Sequence, residues 1–258
     1  MAGTYTPTAT VIDQGTGTVY AYPAYPDLRV NPPITIFSAV IIGGNIVVGG
    51  TAGNDNIKVD ANNPNNVIVT IGGVAQANPA GGLWVVNPAT GRIIVDGCAG
   101  ADTIQIVGGV KAEVHGGAGN DVITGGTSDD VLWGDAGDDF IQGGTGNDVV
   151  IGGAGNDRIY GDAGDDILVA GEFIANSHNG TENYGYSVLR AICDAWAAGS
   201  GGAAGAAAAD PDLATPADDV SDTTTGERLT GGSGKDWFIA SAGDIIDALS
   251  GGDFLQTI

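Results

Sequence analysis

The strongest constraint on this chain is a nine-residue period that runs unbroken from Gly116 to Val169. Six successive units read GGAGNDVIT, GGTSDDVLW, GDAGDDFIQ, GGTGNDVVI, GGAGNDRIY and GDAGDDILV. All fit G-G-x-G-x-D-x-U-x, with U a large aliphatic residue, apart from the stretch Gly126 to Ser128 and the second-place Asp135 and Asp162. A period this short and regular calls for stacked, self-similar coils, not a mixed globular domain. Related units stand apart from the block as GTAGNDNIK from Gly50, GCAGADTIQ from Gly97 and GGSGKDWFI from Gly231.

Each place in the unit has a chemical reason. Glycines permit a tight turn and let backbone carbonyls converge. The sixth residue adds a carboxylate. The last three residues make a short strand whose middle side chain points inward, so Ile123, Leu132, Ile141, Val150, Ile159 and Leu168 are read as a thin aliphatic core. Turns rich in carbonyl and carboxylate oxygen suit calcium, which takes about six to eight oxygens at about 2.3–2.6 Å. One turn cannot supply that many, whereas two stacked turns can. The competing reading, in which the aspartates only form turns, does not require Asp at every sixth place. For the unit at Gly50 both readings stay open, because its coil is interrupted and no stacking partner is evident.

Composition narrows the function. The chain has 31 acidic against 8 basic residues, a net charge of −23, so nucleic acid and anionic membrane surfaces are poor partners and cations good ones. Cys98 and Cys193 are too few for a disulfide framework and wrongly spaced for zinc, which leaves one optional disulfide or two free thiols. No apolar run approaches a membrane span, and the N-terminus shows no basic segment followed by an apolar one. No HExxH or GxSxG occurs, and the acid pairs are accounted for by the turns. His115 and His178 are read as solvated, and the chain as no enzyme.

The repeat closely resembles the repeats-in-toxin (RTX), or haemolysin-type, calcium-binding nonapeptide family. That resemblance implies an all-β fold, a right-handed parallel β-roll (β-solenoid) with two units per coil, so that alternate units stack. It further implies that each calcium takes the second and fourth carbonyls and the Asp of one turn, plus the first and third carbonyls and the Asp of the turn above. On one side this gives Gly117, Gly119 and Asp121 with Gly134, Ala136 and Asp139, then Asp135, Gly137 and Asp139 with Gly152, Ala154 and Asp157. On the other it gives Gly126, Ser128 and Asp130 with Gly143, Thr145 and Asp148, then Gly144, Gly146 and Asp148 with Gly161, Ala163 and Asp166. A further set is Cys98, Gly100 and Asp102 with Gly116, Ala118 and Asp121, and Asp236 is a ligand of the unit at Gly231. The implied protein is a secreted, calcium-binding structural or surface protein that folds on Ca2+, exported by a signal-peptide-independent (type I) route. Self-assembly into a homo-oligomer, fibre or surface layer is one expectation, and a calcium-dependent adhesion or accessory module for another partner is the alternative.

Outside the block, residues 1–48 read as an irregular β N-terminal cap, with strands broken at Gly43-Gly44. Residues 49–169 are the roll, entered through Val67–Ile71, Leu83–Val86 and Arg92–Val95. Residues 170–226 are a helical and flexible insertion. In it Val188, Leu189, Ile192, Ala195 and Trp196 predict an amphipathic helix over Ser187–Ala198, followed by a Gly/Ala run and an acidic stretch from Asp210 to Asp222. Residues 227–258 are a final coil and a tail that reads equally as a capping strand or an export signal. Parity separates two faces of the roll: Val122, Thr124, Phe140, Gln142, Arg158 and Tyr160 form a mixed one. Val131, Trp133, Val149, Ile151, Ile167 and Val169, extended by Trp237 and Ile239, form an apolar one that must be covered, by the helix first or else by a second copy.

Overall fold

The computed structural model describes residues 9–12, 19–22, 39–78, 81–87, 90–173, 186–199, 220–222, 224–247, 249 and 252–258. Its frame is a pair of nine-stranded sheets facing each other across one apolar core. The chain changes sheet once per nonapeptide, so neighbours within a sheet come from alternate units. Ile123, Ile141 and Ile159 stack in one sheet and Leu132, Val150 and Leu168 in the other, all in parallel register. All six are fully buried, which is the core expected of a β-roll.

The entry to the roll is antiparallel. Ala39–Ile42 and Asn45–Gly49 form a hairpin across Gly43 and Gly44, whose φ values of 59° and 87° are those a two-residue hairpin turn demands. Ala9–Ile12 pairs with Val19–Tyr22, and Asn56–Ala61 with Ile68–Ile71, which pairs in turn with Val74–Ala75. Ile93–Asp96 is a strand, whereas Leu83–Val86 is not. Only Trp84 of that run bridges, to Val67, and it is held by its indole N–H donating to the Gln76 carbonyl (3.0 Å). At the other end Phe254–Thr257 adds to Trp237–Ala240, so the tail supplies a capping strand.

The insertion leaves through Glu172–Phe173, which pairs antiparallel with the returning Val220–Ser221. Residues 174–185 and 200–219, with most of the expected Gly/Ala run and acidic stretch, lie outside the described residues, as does His178. The helix spans Tyr186–Ala198 and lies on the apolar face. Leu189, Ile192, Cys193 and Trp196 pack against Val131, Val149, Ile151, Ile167, Val169, Trp237 and Ile239. The helix is rotated from the expected phase: Val188 is 43% exposed and Ala195 faces outward, while Cys193 takes the inward place. Positions 189, 192, 193 and 196 make the i, i+3, i+4, i+7 stripe of a docked helix.

Polar ties fix the helix. Arg190 donates to the Asn147 carbonyl (2.5 Å) and to Asp194 Oδ1 (2.9 Å). Trp196 Nε1 donates to the Lys235 carbonyl (2.9 Å), and Lys235 Nζ donates to the carbonyls of Ala197 (2.7 Å) and Gly199 (3.1 Å), capping the helix C-terminus. The apolar face is therefore covered within the chain and is not a surface for a second copy. Among the described residues the mixed face stays open, with Val122 41% exposed.

Candidate metal centre

Two rows of turns run along the edges of the roll, and in each the sixth-place carboxylates form a ladder. In the first row the backbone N–H groups of Asp55, Asp102, Asp121 and Asp139 donate to Oδ1 of Asp102, Asp121, Asp139 and Asp157 in the next coil, at 2.7, 2.7, 2.7 and 2.8 Å. In the second row Ala112, Asp130, Asp148 and Asp166 donate likewise to Asp130, Asp148, Asp166 and Asp236, at 2.7, 2.8, 2.8 and 3.1 Å. One oxygen of each carboxylate is thereby used. The other is not: Oδ2 of Asp102, Asp121, Asp139, Asp148, Asp157 and Asp166 is buried without a hydrogen-bond partner. Asp130 differs, because Gly126 N–H donates to its Oδ2 (2.7 Å).

The backbone around these oxygens alternates in direction. The Ala136 and Ala154 carbonyls point down onto the N–H groups of Gly119 and Gly137, at 2.7 and 2.8 Å. A Cβ on Gly116 would lie 2.5 Å from Asp121 Oδ2 and 2.7 Å from the Gly134 carbonyl oxygen, so that first-place carbonyl also points down. At Gly119, where φ is 132°, a Cβ would run into the carbonyl of Gly100, which points up. Between stacked turns there is thus a cradle of carbonyl and carboxylate oxygen that any side chain at Gly116 would fill. The orphaned oxygens and the all-oxygen donor set fit calcium.

The electrostatics favour a bound cation. Burial, reinforced by like charge from Asp157, Asp121 and Asp135, pushes Asp139 up to about 8. Burial with the charges of Asp130 and Asp129 takes Asp148 to about 8, and burial with Asp148, Asp236 and Asp165 takes Asp166 to about 9. Such groups hold protons that a cation would replace.

The structure brings together every turn pair expected from the sequence. Gly117 and Ala118 register with Asp135 and Ala136, these with Gly153 and Ala154, and Gly144 and Thr145 with Asp162 and Ala163. Cys98, Asp135 and Asp162 adopt the positive φ of the second-place glycine, 75°, 70° and 72°. Asp102 sits over Asp121 despite their nineteen-residue spacing. The extra residue is taken up between Gln105, which pairs with Thr124, and Gly108, whose carbonyl accepts from Thr127 N–H. Ser128 departs from the glycine geometry and its Oγ donates to the Gly109 carbonyl (2.9 Å).

Two open readings close and one expectation, that for His115, changes. The unit at Gly50 does stack: Gly50 N–H donates to the Asp96 carbonyl and Asp55 N–H to Asp102 Oδ1, both at 2.7 Å. The chain between the two units folds out as the antiparallel hairpin of Asn56–Ala61 and Ile68–Ile71, which hid the pairing from a linear count. His115 is not solvated. It stacks on Trp133 at 4.3 Å and 9°, with Nδ1 3.2 Å from Asp135 Oδ2. Burial opposes its charged form, but Asp135, Glu113 and Asp96 outweigh that and raise its pKa. Cys98 and Cys193 are free: Cys98 Sγ faces the Gly50 carbonyl, and the buried Cys193 Sγ faces those of Asp148 and Asp165.

The profile of the RTX calcium-binding nonapeptide repeat (4 copies) matches residues 115–150, 142–173 and 223–255, which include both ladders from Asp121 and Asp130 onward but not Asp55 and Asp102. The matched coils thus carry RTX calcium-binding repeats, and such repeats bind Ca2+. Proteins with this repeat are typically extracellular and generally structural rather than catalytic. No curated protein and no solved structure matches the chain. Among the described residues no helix is long and apolar enough to cross a membrane.

Replacing Asp148 with asparagine is expected to weaken two sites at once, since the ligand sets implied by the resemblance place its carboxylate in both the site below and the site above. Calcium bound per chain, counted after equilibrium dialysis, should fall by up to two ions, against at most one for Asp55→Asn at the end of its row. Equal losses from the two variants would show that the ladder is not shared.

Proposed function

We propose that this is a secreted structural protein whose roll forms as calcium binds. Residues 1–48 serve as its cap, 49–169 as the roll, 170–226 as an insertion and 227–258 as the closing coil. The observation that carries the reading is the ladder of buried carboxylates with one orphaned oxygen each. Such groups are a standing cost to a fold unless a cation completes them. The ligand sets are those named above, with Asp55 added at the start of the first row. Extracellular modules bind calcium at about 10⁻⁴–10⁻³ M, far above cytosolic levels. A chain of this kind stays unfolded before export and folds outside, which suits a type I route. We read it as non-catalytic.

The test is circular dichroism through a calcium titration. In excess chelator the β signal should be largely lost, to return cooperatively at millimolar calcium. A full signal in chelator would overturn the reading. With the apolar face covered, self-assembly would have to use the open sheet or the terminal strands. The adhesion reading is favoured by the open sheet, where Phe140 and Tyr160 stand 5.4 Å apart beside the exposed Arg158. Light scattering with and without calcium and a glycan-binding screen separate the two.

A further inference from the structure

The roll's own register places one acidic residue where no nonapeptide predicts it. Ala170 leaves the roll and the chain returns at Glu227, which takes the sixth place of the resumed coil. Arg228 N–H donates to the Asp157 carbonyl and Ile245 N–H to the Glu227 carbonyl, both at 2.8 Å, so Glu227 stands between Asp157 and Asp244 in the first row of turns. Its side chain is 0% exposed, and no N–H donor reaches either carboxylate oxygen. Its one close polar neighbour is another acid, Asp244, whose carboxyl is pushed up to about 6 by burial and by a carboxyl–carboxylate hydrogen bond with Glu227.

Two further acids converge on it. Asp222 comes from the end of the insertion's return strand; Thr224 N–H donates to its Oδ1 (3.0 Å), while its Oδ2 is buried and unpartnered. Asp244 comes from the closing coil, where Gly226 N–H donates to its Oδ1 (3.0 Å) and Ser241 N–H to its Oδ2 (2.7 Å). One oxygen from each of Asp222, Glu227 and Asp244 lies within 4.8 Å of the other two. The cations nearest in sequence are engaged elsewhere, Arg228 with Asp247 and Lys235 with Asp165.

We propose that Asp222, Glu227 and Asp244 form a separate calcium site that clamps the neck of the insertion to the closing coil. Two oxygens on one calcium, each about 2.4 Å from it, stand up to about 4.8 Å apart, which matches the spread of the three. All donors are oxygen, with no nitrogen or sulfur to favour zinc. An ion here joins the return strand, the resumed coil and the closing coil. Thr224 already ties that neck to the roll below, its Oγ1 donating to the Gly155 carbonyl (2.8 Å).

The experiment counts calcium bound by the full chain at saturation, after equilibrium dialysis, for the parent and for Glu227→Gln, Asp222→Asn and Asp244→Asn. Each variant is expected to bind one ion fewer while keeping the parent's calcium-induced dichroism, because the nonapeptide ladders are untouched. Loss in Glu227→Gln alone would mean that the ion sits between Asp157 and Glu227 as in an ordinary turn pair, and would overturn the clamp. An unchanged count in all three would overturn it too. Should Glu227→Gln fail to fold, Asp222→Asn decides alone, because Asp222 lies outside the roll. A parent chain that binds no calcium would defeat the general reading, whereas a parent that binds it with unaltered variants defeats only this one.

Discussion

Replacing Ile151 with lysine is expected to lower the unfolding free energy of the calcium-loaded chain by about 4 kcal/mol or more. Ile151 is 2% exposed beneath the helix, in a cluster with Val149, Val169 and Ile192. Truncating a buried isoleucine costs about 2–5 kcal/mol by itself, and an ammonium in its place adds the burial of an unpaired charge. Urea unfolding in saturating calcium measures the loss, and the fluorescence of Trp196 and Trp237, 5.5 Å apart in the same cluster, should shift to the red as the helix lifts. Trp196→Ala attacks the same contact from the helix side. The two changes together should cost less than their sum, as expected for neighbours across one interface. A stable, calcium-loaded monomer that merely fails to associate would mean that the face serves assembly instead.

Calcium affinity is expected to fall steeply between pH 8 and pH 5. Burial raises Asp139 and Asp148 to about 8, Asp166 to about 9, Asp130 and Asp157 to about 7, and Asp102, Asp121 and Asp236 to about 6. Each ion must displace the protons these groups hold, so binding releases protons and is favoured by alkali. Without calcium the sign reverses. The folded chain binds protons that the unfolded chain, with carboxyls near 3.8, gives up, so any metal-free fold is most stable in acid and weakens as pH rises from about 4 through 6 to 9. Calorimetry at pH 5 and pH 8 in buffers of different ionisation enthalpy reads the protons released. Any residual β signal in chelator should move the opposite way, larger at pH 5 than at pH 8. Affinity independent of pH would show that the carboxylates do not ligate.

The regular block was legible because each nonapeptide carries its turn, its ligand and its core residue within nine positions, so Asp121 and Ile123 could be placed without knowing anything distant. What escaped depended on chain segments brought together from afar. Asp55 looked isolated because a hairpin separates its turn from that of Asp102, 47 residues on. Glu227-Arg-Leu-Thr reads as a degenerate half-unit, but Glu227 breaks the motif in residue type, and it is the register of Leu229 beside Ile159 that puts its carboxylate in the row. A signal was present in the sequence: Leu229 stands two residues after Glu227, as the aliphatic residue follows Asp in every unit. The helix was predicted from spacing, but its rotation was not, because Val188 and Cys193 are similar in hydropathy and only docking against Val149 and Ile167 selects between them. His115 was misjudged for the same reason, its partners Trp133 and Asp135 belonging to the next coil.

The excursion of the chain between Ala170 and Glu227 has a consequence for how the roll is assembled in time. Within the block each new rung reaches back 18 residues, as Asp148 does to Asp166, but the rung from Asp166 to Asp236 must reach across 70. Loop closure grows only with the logarithm of length, so this roughly fourfold longer loop costs about 1 kcal/mol more than an ordinary rung. That is small beside the burial of Trp237 and Phe238 on the existing end. A turn of this roll can therefore host a long guest segment at little equilibrium cost. The burden falls on sequence of events: coils up to Val169 can zip one upon the next, while the closing coils must wait for a distant segment to find the end of a template already laid down.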